Sequence, residues 1–288
     1  MRPKDTLFCK KKTLNCGGKL IDLSTPVIMG ILNVTPDSFY DGGMYTSEKE
    51  TIKRAQKILE QGGKIIDIGA YSSRPGAKDI TSEEELERLI PILKIIKKEF
   101  PDSLVSVDTF RSEIVKRTFD MGIDMVNDIS GGSLDAEMFK TISELKLPYV
   151  LMHMKGNPQN MQLKPEYKDV TAEVIYYFSE KINQLKSLGV NDIILDPGFG
   201  FGKELQHNYE LLNNIDKLHI FDLPILCGVS RKSMINRVLD TKPETALNGT
   251  SILNSYCLNK GASFLRVHDV KEAVEAVKIF TFTEKNNY

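Results

Sequence analysis

Short apolar segments alternate with longer amphipathic segments along most of the chain. The short segments are rich in Val, Ile and Leu and show no polar alternation, which is typical of strands buried on both faces of a parallel sheet. Eight of them predict strands, at Val27–Leu32, Lys64–Ile68, Leu104–Val107, Asp124–Val126, Pro148–Met152, Asp192–Leu195, Ile225–Val229 and Ser263–Val267.

The segments between these strands carry the start and stop features of helices. Ser47–Gln61 begins with Ser-Glu-Lys-Glu, a capping pattern, and stops at Gly62-Gly63. Ser82–Phe100 begins with Ser-Glu-Glu-Glu and stops before Pro101. Further helices are predicted at Ser112–Met121, Asp135–Leu145, Glu166–Leu188, His207–Asn214, Thr245–Leu258 and Val270–Phe280.

Strands that alternate with helices predict an α/β fold with parallel strands and right-handed crossovers. An open doubly wound sheet gives the same alternation, but eight units within 288 residues favour a (β/α)8 TIM barrel. Thr13–Ile21 predicts a short N-terminal β-hairpin around Gly17-Gly18 that plugs the bottom of the barrel. We expect an extension over residues 1–13, one barrel domain over 14–280 and a frayed tail at 281–288.

Composition narrows the class of protein. The chain has 38 basic and 39 acidic residues, a near-balance that argues against a surface for coating nucleic acid or membranes. It has neither a membrane-spanning apolar run nor an N-terminal run of signal-peptide length. The cysteines are far apart and form no CxxC pair, so we expect reduced thiols in a cytoplasmic protein: Cys9, Cys16, Cys227 and Cys257.

A polar side chain or cluster stands at the carboxyl end of each predicted strand. A single such residue is usually a turn or capping residue. Eight on the same end predict a shared site, because the carboxyl ends of barrel strands meet at one mouth. Carboxylates, amides and cations together suit a ligand with a hydrogen-bonding heterocycle and an anionic group. The residues are Asn33, Asp67, Asp108, Asn127, His153, Asp196, Ser230, Arg266 and His268.

Four loops add to this site. Residues 33–43 have the length and polarity of a mobile lid, and Ser72–Gly76 suits a phosphate or carboxylate clamp. Asp196–Lys203 only superficially resembles a Walker A loop: Pro197 replaces the required glycine, and Glu204 the required Ser or Thr, so ATP binding is excluded. Its glycines and two aromatics fit a floor for a flat ring. Ser230-Arg231-Lys232-Ser233 places two cations at the start of a helix.

Other histidines and motifs point away from alternative chemistry. His207 and His219 lack placement at a strand end, and we interpret both as surface or capping residues. The sequence contains no HExxH motif and no catalytic serine in a GxSxG context. Metalloprotease and serine-hydrolase activities are therefore excluded.

These motifs resemble the dihydropteroate synthase family of pterin-binding β/α barrels. The resemblance runs from about Leu14 to Phe280 and keeps the family's order of motifs. They are Met29–Phe39, Arg74–Ala77, Ser106–Thr109, Val126–Gly132, Asp196–Lys203, Ser230–Ser233 and Arg266–Val270. The family joins 6-hydroxymethyl-7,8-dihydropterin diphosphate to p-aminobenzoate, which gives 7,8-dihydropteroate and diphosphate in folate biosynthesis.

The resemblance implies roles for residues of this sequence. The implied pterin-binding set is Asp108, Asn127, Asp196 and Lys232. The implied diphosphate-binding set is Asn33, Arg266 and His268, with Asn33 also near a Mg²⁺ ion. The implied p-aminobenzoate slot is Ser73, Pro75, Phe201, Lys232 and Ser233, with Asp41 and Arg74 closing over the site from two loops. The implied catalytic residues are Asp41, Arg74, Lys232, Arg266 and His268.

One loop departs from the family pattern, and two other functions stay open. The family's second loop usually reads Gly-Gly-Glu-Ser-Thr-Arg-Pro-Gly, whereas this chain has Ala70, Tyr71 and Ser73 at the second, third and fifth positions. Tyr71 removes the carboxylate, and Ser73 keeps the hydroxyl. The alternatives are a pterin-dependent methyltransferase and a catalytically silent pterin-binding paralogue. The resemblance also implies a homodimer formed through late helices of the barrel.

Overall fold

Eight parallel strands surrounded by helices confirm the predicted TIM barrel. The computed structural model describes residues 11–34, 44–72, 79–158, 161 and 165–286. An antiparallel hairpin precedes the barrel and consists of β1 (Thr13–Cys16) and β2 (Lys19–Asp22). The barrel strands are β3 (Val27–Asn33), β4 (Ile65–Gly69), β5 (Leu104–Asp108), β6 (Met125–Asp128), β7 (Tyr149–Met152), β8 (Ile193–Asp196), β9 (Leu226–Cys227) and β10 (Phe264–Val267).

The barrel closes through two strand pairs, β10 with β3 and β8 with β9. Strands β3 to β8 pair with their neighbours in chain order, and β10 pairs with both β3 and β9. The seam between β8 and β9 holds a single parallel bridge, Leu195 to Ile225, and a hydrogen bond of 2.9 Å from Leu195 N to Pro224 O. Residues near both ends of the chain therefore share one rim.

The helices fill the positions that the sequence predicted, with shifted ends. They are α1 (Met44–Glu60), α2 (Ser82–Glu99), α3 (Ser112–Phe119), α4 (Met138–Leu145), α5 (Val170–Ser187), α6 (Leu205–Asn213), α7 (Ser233–Leu239), α8 (Leu247–Asn259) and α9 (Val270–Lys285). The helix expected after Ser230–Ser233 is α7. Within the described ranges, two short 3-10 helices were not predicted, Ile215–Phe221 and Pro243–Thr245.

Helix α2 shows why a helix cap can lie one residue from its predicted position. It begins at Ser82 as predicted, but its capping box is formed by Thr81 and Glu84. The Glu84 backbone N–H donates to Thr81 Oγ1 over 3.2 Å, and the Thr81 N–H donates to Glu84 Oε2 over 3.0 Å. Either hydroxyl residue suits the cap, and the approach of the preceding chain decides which one serves.

The predicted strand at Ile225–Val229 was too long, and most of the segment expected to fray is helical. The ninth strand is only Leu226–Cys227, because the chain then turns: Lys232 N donates to Val229 O over 3.2 Å. At the other end of the chain, α9 continues to Lys285, through most of the segment expected to fray. Residues 281–286 contain no Gly or Pro that would stop it. No described helix is long and apolar enough to cross a membrane.

The lower half of the barrel interior is apolar and is covered by the hairpin, as predicted. Gly17 and Gly18 form its turn at φ values of 59° and 91°, a region that favours glycine. Leu14, Cys16 and Ile21 are buried against side chains from the lower ends of the barrel strands. Those side chains are Val27, Met29, Ile65, Met125, Val150, Ile194, Leu226 and Phe264. The closed bottom leaves the opposite end for chemistry.

Candidate active site

The upper half of the barrel interior is polar. Successive side chains of a strand face opposite sides, so residues two positions beyond the apolar floor also point inward. Met125 belongs to the floor, and Asn127 stands two residues above it. In the same way Ile65 is followed by Asp67, Ile194 by Asp196 and Phe264 by Arg266. Period-two spacing thus places a ring of polar groups on an apolar base.

Arg266 connects three of these strands to its own. Its Nε donates to Asp67 Oδ2 over 2.6 Å, and its Nη2 donates to Asp108 Oδ2 over 2.6 Å. The same Asp67 oxygen accepts a hydrogen bond from Asn127 Nδ2 over 3.1 Å. The four side chains come from β4, β5, β6 and β10. They form one charge-assisted network across the interior.

A second group of polar atoms meets beside Gly228. A methyl group in place of its hydrogen would lie 3.8 Å from Lys232 Nζ and 4.0 Å from both Asp196 Oδ2 and Arg266 Cβ. Lys232 Nζ also donates to the carbonyl of Phe199 and lies 4.8 Å from the centre of the Phe201 ring. An acceptor carboxylate, a donor ammonium and an aromatic face therefore border the same space.

Asn33 and Asp108 come together at the end of β3. A methyl group at Gly69 would lie 3.6 Å from Asn33 Oδ1 and 3.6 Å from Asp108 Oδ2. Among the described residues, no group of three His, Cys, Asp or Glu side chains has the arrangement of a metal site. Any cation here would take few ligands from the described residues, and amide and carboxylate oxygens are the kind that Mg²⁺ prefers.

Burial and neighbouring charges shift the pKa values of the groups in this network. Burial raises the pKa of Asp108 to about 7. The Arg266 charge opposes this rise, and the Asp67 carboxylate adds to it. Burial lowers the pKa of Lys232 to about 8, against the nearby Asp196 carboxylate. Burial and the Arg266 charge lower the pKa of His268 to about 4, so its imidazole is neutral near pH 7. The positive charge therefore comes from Arg266 and Lys232.

The structure brings together most of the residues that the sequence singled out. Asp108, Asn127, Asp196, Lys232 and Arg266 surround the mouth as just described. His268 follows β10, and its backbone N–H donates to Ser230 Oγ over 3.1 Å. Ser233 opens α7 next to Lys232 with an exposed side chain. The predicted site residues that lie outside the described residues are Asp41, Ser73, Arg74 and Pro75.

The interpretation of two histidines as capping or surface residues is confirmed. His207 Nδ1 accepts the Glu204 N–H over 3.2 Å at the start of α6. His219 Nε2 lies 3.1 Å from the carbonyl of Lys260. Neither residue contacts the network at the mouth.

Comparison with known proteins assigns this arrangement to a family. The model of the pterin-binding enzyme family matches residues 29–268. The dihydropteroate synthase of Escherichia coli K12 is 44% identical over 274 residues, which is 94% of this chain and 96% of that protein. The chain belongs to the dihydropteroate synthase family. Its members are transferases, and so is this chain.

Solved structures of dihydropteroate synthases agree with the barrel. The Yersinia pestis enzyme in a sulfonamide drug complex gives a TM-score of 0.89 at 40% identity, over 95% of this chain and 99% of that one. The Xanthomonas albilineans enzyme in complex with 7,8-dihydropteroate gives 0.84 at 33% identity, over 94% and 98%.

Two features of the site were not predicted from the sequence. Asp67 was noted at a strand end but given no role, although its inward phase on β4 would have paired it with Arg266. His153 was expected at the mouth, but its contacts are with the buried Lys203, whose Nζ lies 2.8 Å from its Nδ1, and with Tyr167 and Tyr177. His153 follows Met152, which lines the inside, and therefore points outward, behind the loop after β8.

Proposed function

We propose that this chain joins 6-hydroxymethyl-7,8-dihydropterin diphosphate to p-aminobenzoate and releases diphosphate. The observation that carries the proposal is the convergence of Asp196, Asn127 and Lys232 beside the Arg266 network. This set offers acceptors and donors for a flat heterocycle next to a cation for its anionic group. Family membership names the reaction, and the barrel mouth supplies matching chemistry.

The pterin ring lies among Asp108, Asn127, Asp196 and Lys232. The adjacent 2-amino and N3–H groups of the ring donate to the two oxygens of Asp196, and Lys232 donates to ring acceptors. Asp196 already accepts the Gly198 N–H over 2.8 Å through Oδ1, which fixes the carboxylate plane. Because this carboxylate is buried, an unmatched ligand atom costs binding energy, and this supports selectivity for pterins.

The diphosphate lies on the side of Arg266, His268 and Asn33. Arg266 supplies a permanent positive charge, and the neutral His268 supplies an N–H donor. Asn33 Oδ1 would be an oxygen ligand for Mg²⁺, which would neutralise charge on diphosphate oxygens. The carbon–oxygen bond breaks with the electron pair leaving on diphosphate. The arylamine nitrogen then bonds to the methylene carbon and loses a proton.

The p-aminobenzoate slot lies at the outer rim. Phe201 supplies an aromatic wall, Lys232 Nζ lies over its ring, and Ser233 follows Lys232 at the start of α7. Ser73 and Pro75 complete the slot in this proposal, and Asp41 and Arg74 close over the ligands and exclude water. Exclusion of water protects the cationic carbon from hydrolysis before the amine attacks.

The proposal includes a homodimer in the cytoplasm. Exposed apolar side chains occur on neighbouring late helices, as the family's mode of pairing requires: Val238, Leu239, Ile252 and Tyr256. Cys16, Cys227 and Cys257 are free and buried, which suits a reducing compartment.

A diphosphate-release assay with the pterin diphosphate, p-aminobenzoate and Mg²⁺ tests the reaction. We expect release that requires all three, and a fall in kcat/KM of about 100-fold or more in Asp196→Asn, which no longer accepts two N–H donors. Asp192→Asn is the control, because Asp192 lies at the other end of β8 in an ion pair with Lys11. Pterin binding without release identifies a silent paralogue, and methyl transfer from a folate to a corrinoid identifies the methyltransferase.

A further inference from the structure

Asp67 occupies the centre of the polar network without facing the outer rim. It is the third residue of β4, pairs in register with Ile31 and Ser106, and is fully buried. Its position is two residues below Gly69, where Asn33 and Asp108 meet. A carboxylate so deep requires partners, because burial of an unpaired charge is very costly.

One oxygen of Asp67 holds two groups that belong to different parts of the site. Oδ2 accepts Arg266 Nε at 2.6 Å and Asn127 Nδ2 at 3.1 Å. Oδ1 is buried and accepts no hydrogen bond from the described residues. Both contacts therefore depend on a single atom, and a displacement of that atom moves the guanidinium and the amide together.

The contact with Asn127 decides which end of that amide faces the ligand. A carboxylate only accepts hydrogen bonds, so the NH₂ group of Asn127 must point towards Asp67. The carbonyl oxygen of Asn127 is then turned away from Asp67, where it is an acceptor for an N–H of the ligand. An uncharged residue at position 67 that both donates and accepts would allow either orientation.

The contact with Arg266 decides which edge of the guanidinium is available. Nε and Nη2 are used by Asp67 and Asp108. An arginine has five N–H donors in a rigid fork, so the remaining donors, including both on Nη1, are presented at a fixed angle. The Asp67 and Asp108 carboxylates also raise the pKa of Arg266 above its usual range, although burial acts in the opposite direction.

We propose that Asp67 is a positioning residue that sets the amide orientation of Asn127 and the guanidinium orientation of Arg266 for the pterin diphosphate. This inference rests on the proposed function and adds a residue that acts only through two others. It predicts that Asp67 affects pterin recognition and departure of the diphosphate, but not the p-aminobenzoate slot.

Asp67→Asn tests the proposal, with Ser106→Ala as the matched control. Ser106 is the register neighbour of Asp67 on β5, is equally buried and has no hydrogen-bond partner among the described side chains. In Asp67→Asn we expect kcat to fall at least about 30-fold and the Kd of 6-hydroxymethyl-7,8-dihydropterin, measured by calorimetry, to rise about tenfold. The KM of p-aminobenzoate should stay within about twofold, and Ser106→Ala should change each quantity less than about twofold.

An Arg266→Ala background separates positioning from a direct role. There, Asp67→Asn should change kcat less than about threefold, because the guanidinium through which Asp67 acts on diphosphate departure is gone. If Asp67→Asn lowers kcat as much in that background as in the parent chain, the proposal is overturned. It is also overturned if Asp67→Asn loses activity only in proportion to the fraction of unfolded protein and its Kd for the dihydropterin is unchanged. If Asp67→Asn does not fold, Asp67→Glu, which keeps the charge and displaces the oxygens, should show the same selective loss of kcat.

The Kd of the dihydropterin, measured by calorimetry, distinguishes failure of this inference from failure of the proposed function. If the unmodified chain binds the dihydropterin but releases no diphosphate, the proposed reaction is wrong. The inference about Asn127 is then still decided by the Kd in Asp67→Asn. An unchanged Kd in a folded variant would contradict it.

Discussion

At the scale of single residues, the site depends on groups whose charge is set by burial. The Lys232 side chain lies near Asp196 and Arg266 and donates to the Phe199 carbonyl. Its pKa falls to about 8 because burial disfavours the ammonium. Burial also raises the pKa of Asp196 above its ordinary value, while the Lys232 charge opposes this rise. The two side chains are thus held in opposite charge states mainly by each other.

The pKa of Lys232 predicts the alkaline side of the pH profile. Below about pH 8 the ammonium is protonated and binds ring acceptors, and above it the charge is lost, so kcat/KM for the pterin diphosphate should fall as the pH rises through about 8. Profiles of kcat/KM from pH 6 to 10 measure this. In Lys232→Arg the alkaline fall should move up by about 2 pH units or more, because a guanidinium stays charged. An unmoved alkaline side would show that another group titrates there.

At the scale of elements, the loop after β8 is held by a buried lysine. Lys203 Nζ donates to the carbonyls of Gly198 at 2.9 Å and Phe201 at 3.1 Å, and contacts His153 Nδ1 at 2.8 Å. Burial holds the pKa of Lys203 well below its usual value. The loop carries the Phe201 ring and the Phe199 carbonyl that accepts Lys232, so Lys203 supports the wall of the site from behind.

Lys203→Met is therefore expected to weaken both the fold and the site. The Gly198 carbonyl and His153 Nδ1 are buried and both lose their contact with the lysine nitrogen, so the free energy of unfolding should fall by about 3 kcal/mol in urea titrations. The KM of p-aminobenzoate should rise about tenfold as Phe201 shifts. Lys155→Met, which removes a partly exposed ion pair with Glu173, is the control and should cost less than about 1 kcal/mol. Equal losses in the two variants would contradict a special role for Lys203.

The elements were predictable to the extent that local chemistry decides them. Barrel strands began and ended within one or two residues of the predicted apolar runs, but at Ile225–Val229 both ends moved inward and left a strand of two residues. There the apolar run continues, but the chain turns after Cys227 to deliver Lys232 to the mouth, and the turn is fixed by tertiary contacts. The continuation of α9 to Lys285 was missed because fraying was expected at the terminus, although residues 281–285 contain no Gly or Pro that would stop the helix.

At the scale of the whole molecule, barrel closure brings site residues together, and the outer surface carries exposed apolar side chains. Closure through the Leu195–Ile225 bridge brings β8 and β9 together, so that Asp196 and Lys232 meet beside Gly228. On the outside, Ile252 and Tyr256 of α8 keep 56% and 38% of their surface exposed. Exposed apolar residues grouped on adjacent helices favour association with a partner.

The proposed homodimer predicts a sedimentation result. In analytical ultracentrifugation the chain should sediment at twice the mass of one copy, and Ile252→Lys should shift it to the monomer because a buried unpaired charge opposes association. Leu188→Lys is the control: Leu188 is also exposed but lies at the end of α5. A monomeric parent chain, or an Ile252→Lys variant that stays dimeric, would rule out this surface.

The sequence by itself determined the succession of strands and helices, the barrel class and most of the polar groups at the mouth. It did so because burial on both strand faces demands continuous apolar runs, and because parallel strands end on one side. Only the tertiary structure decided that Asp67 holds Arg266 and Asn127 together and that His153 turns outward to Lys203. Those contacts join residues up to 199 positions apart, and their geometry depends on strand register and barrel closure, which no local pattern encodes.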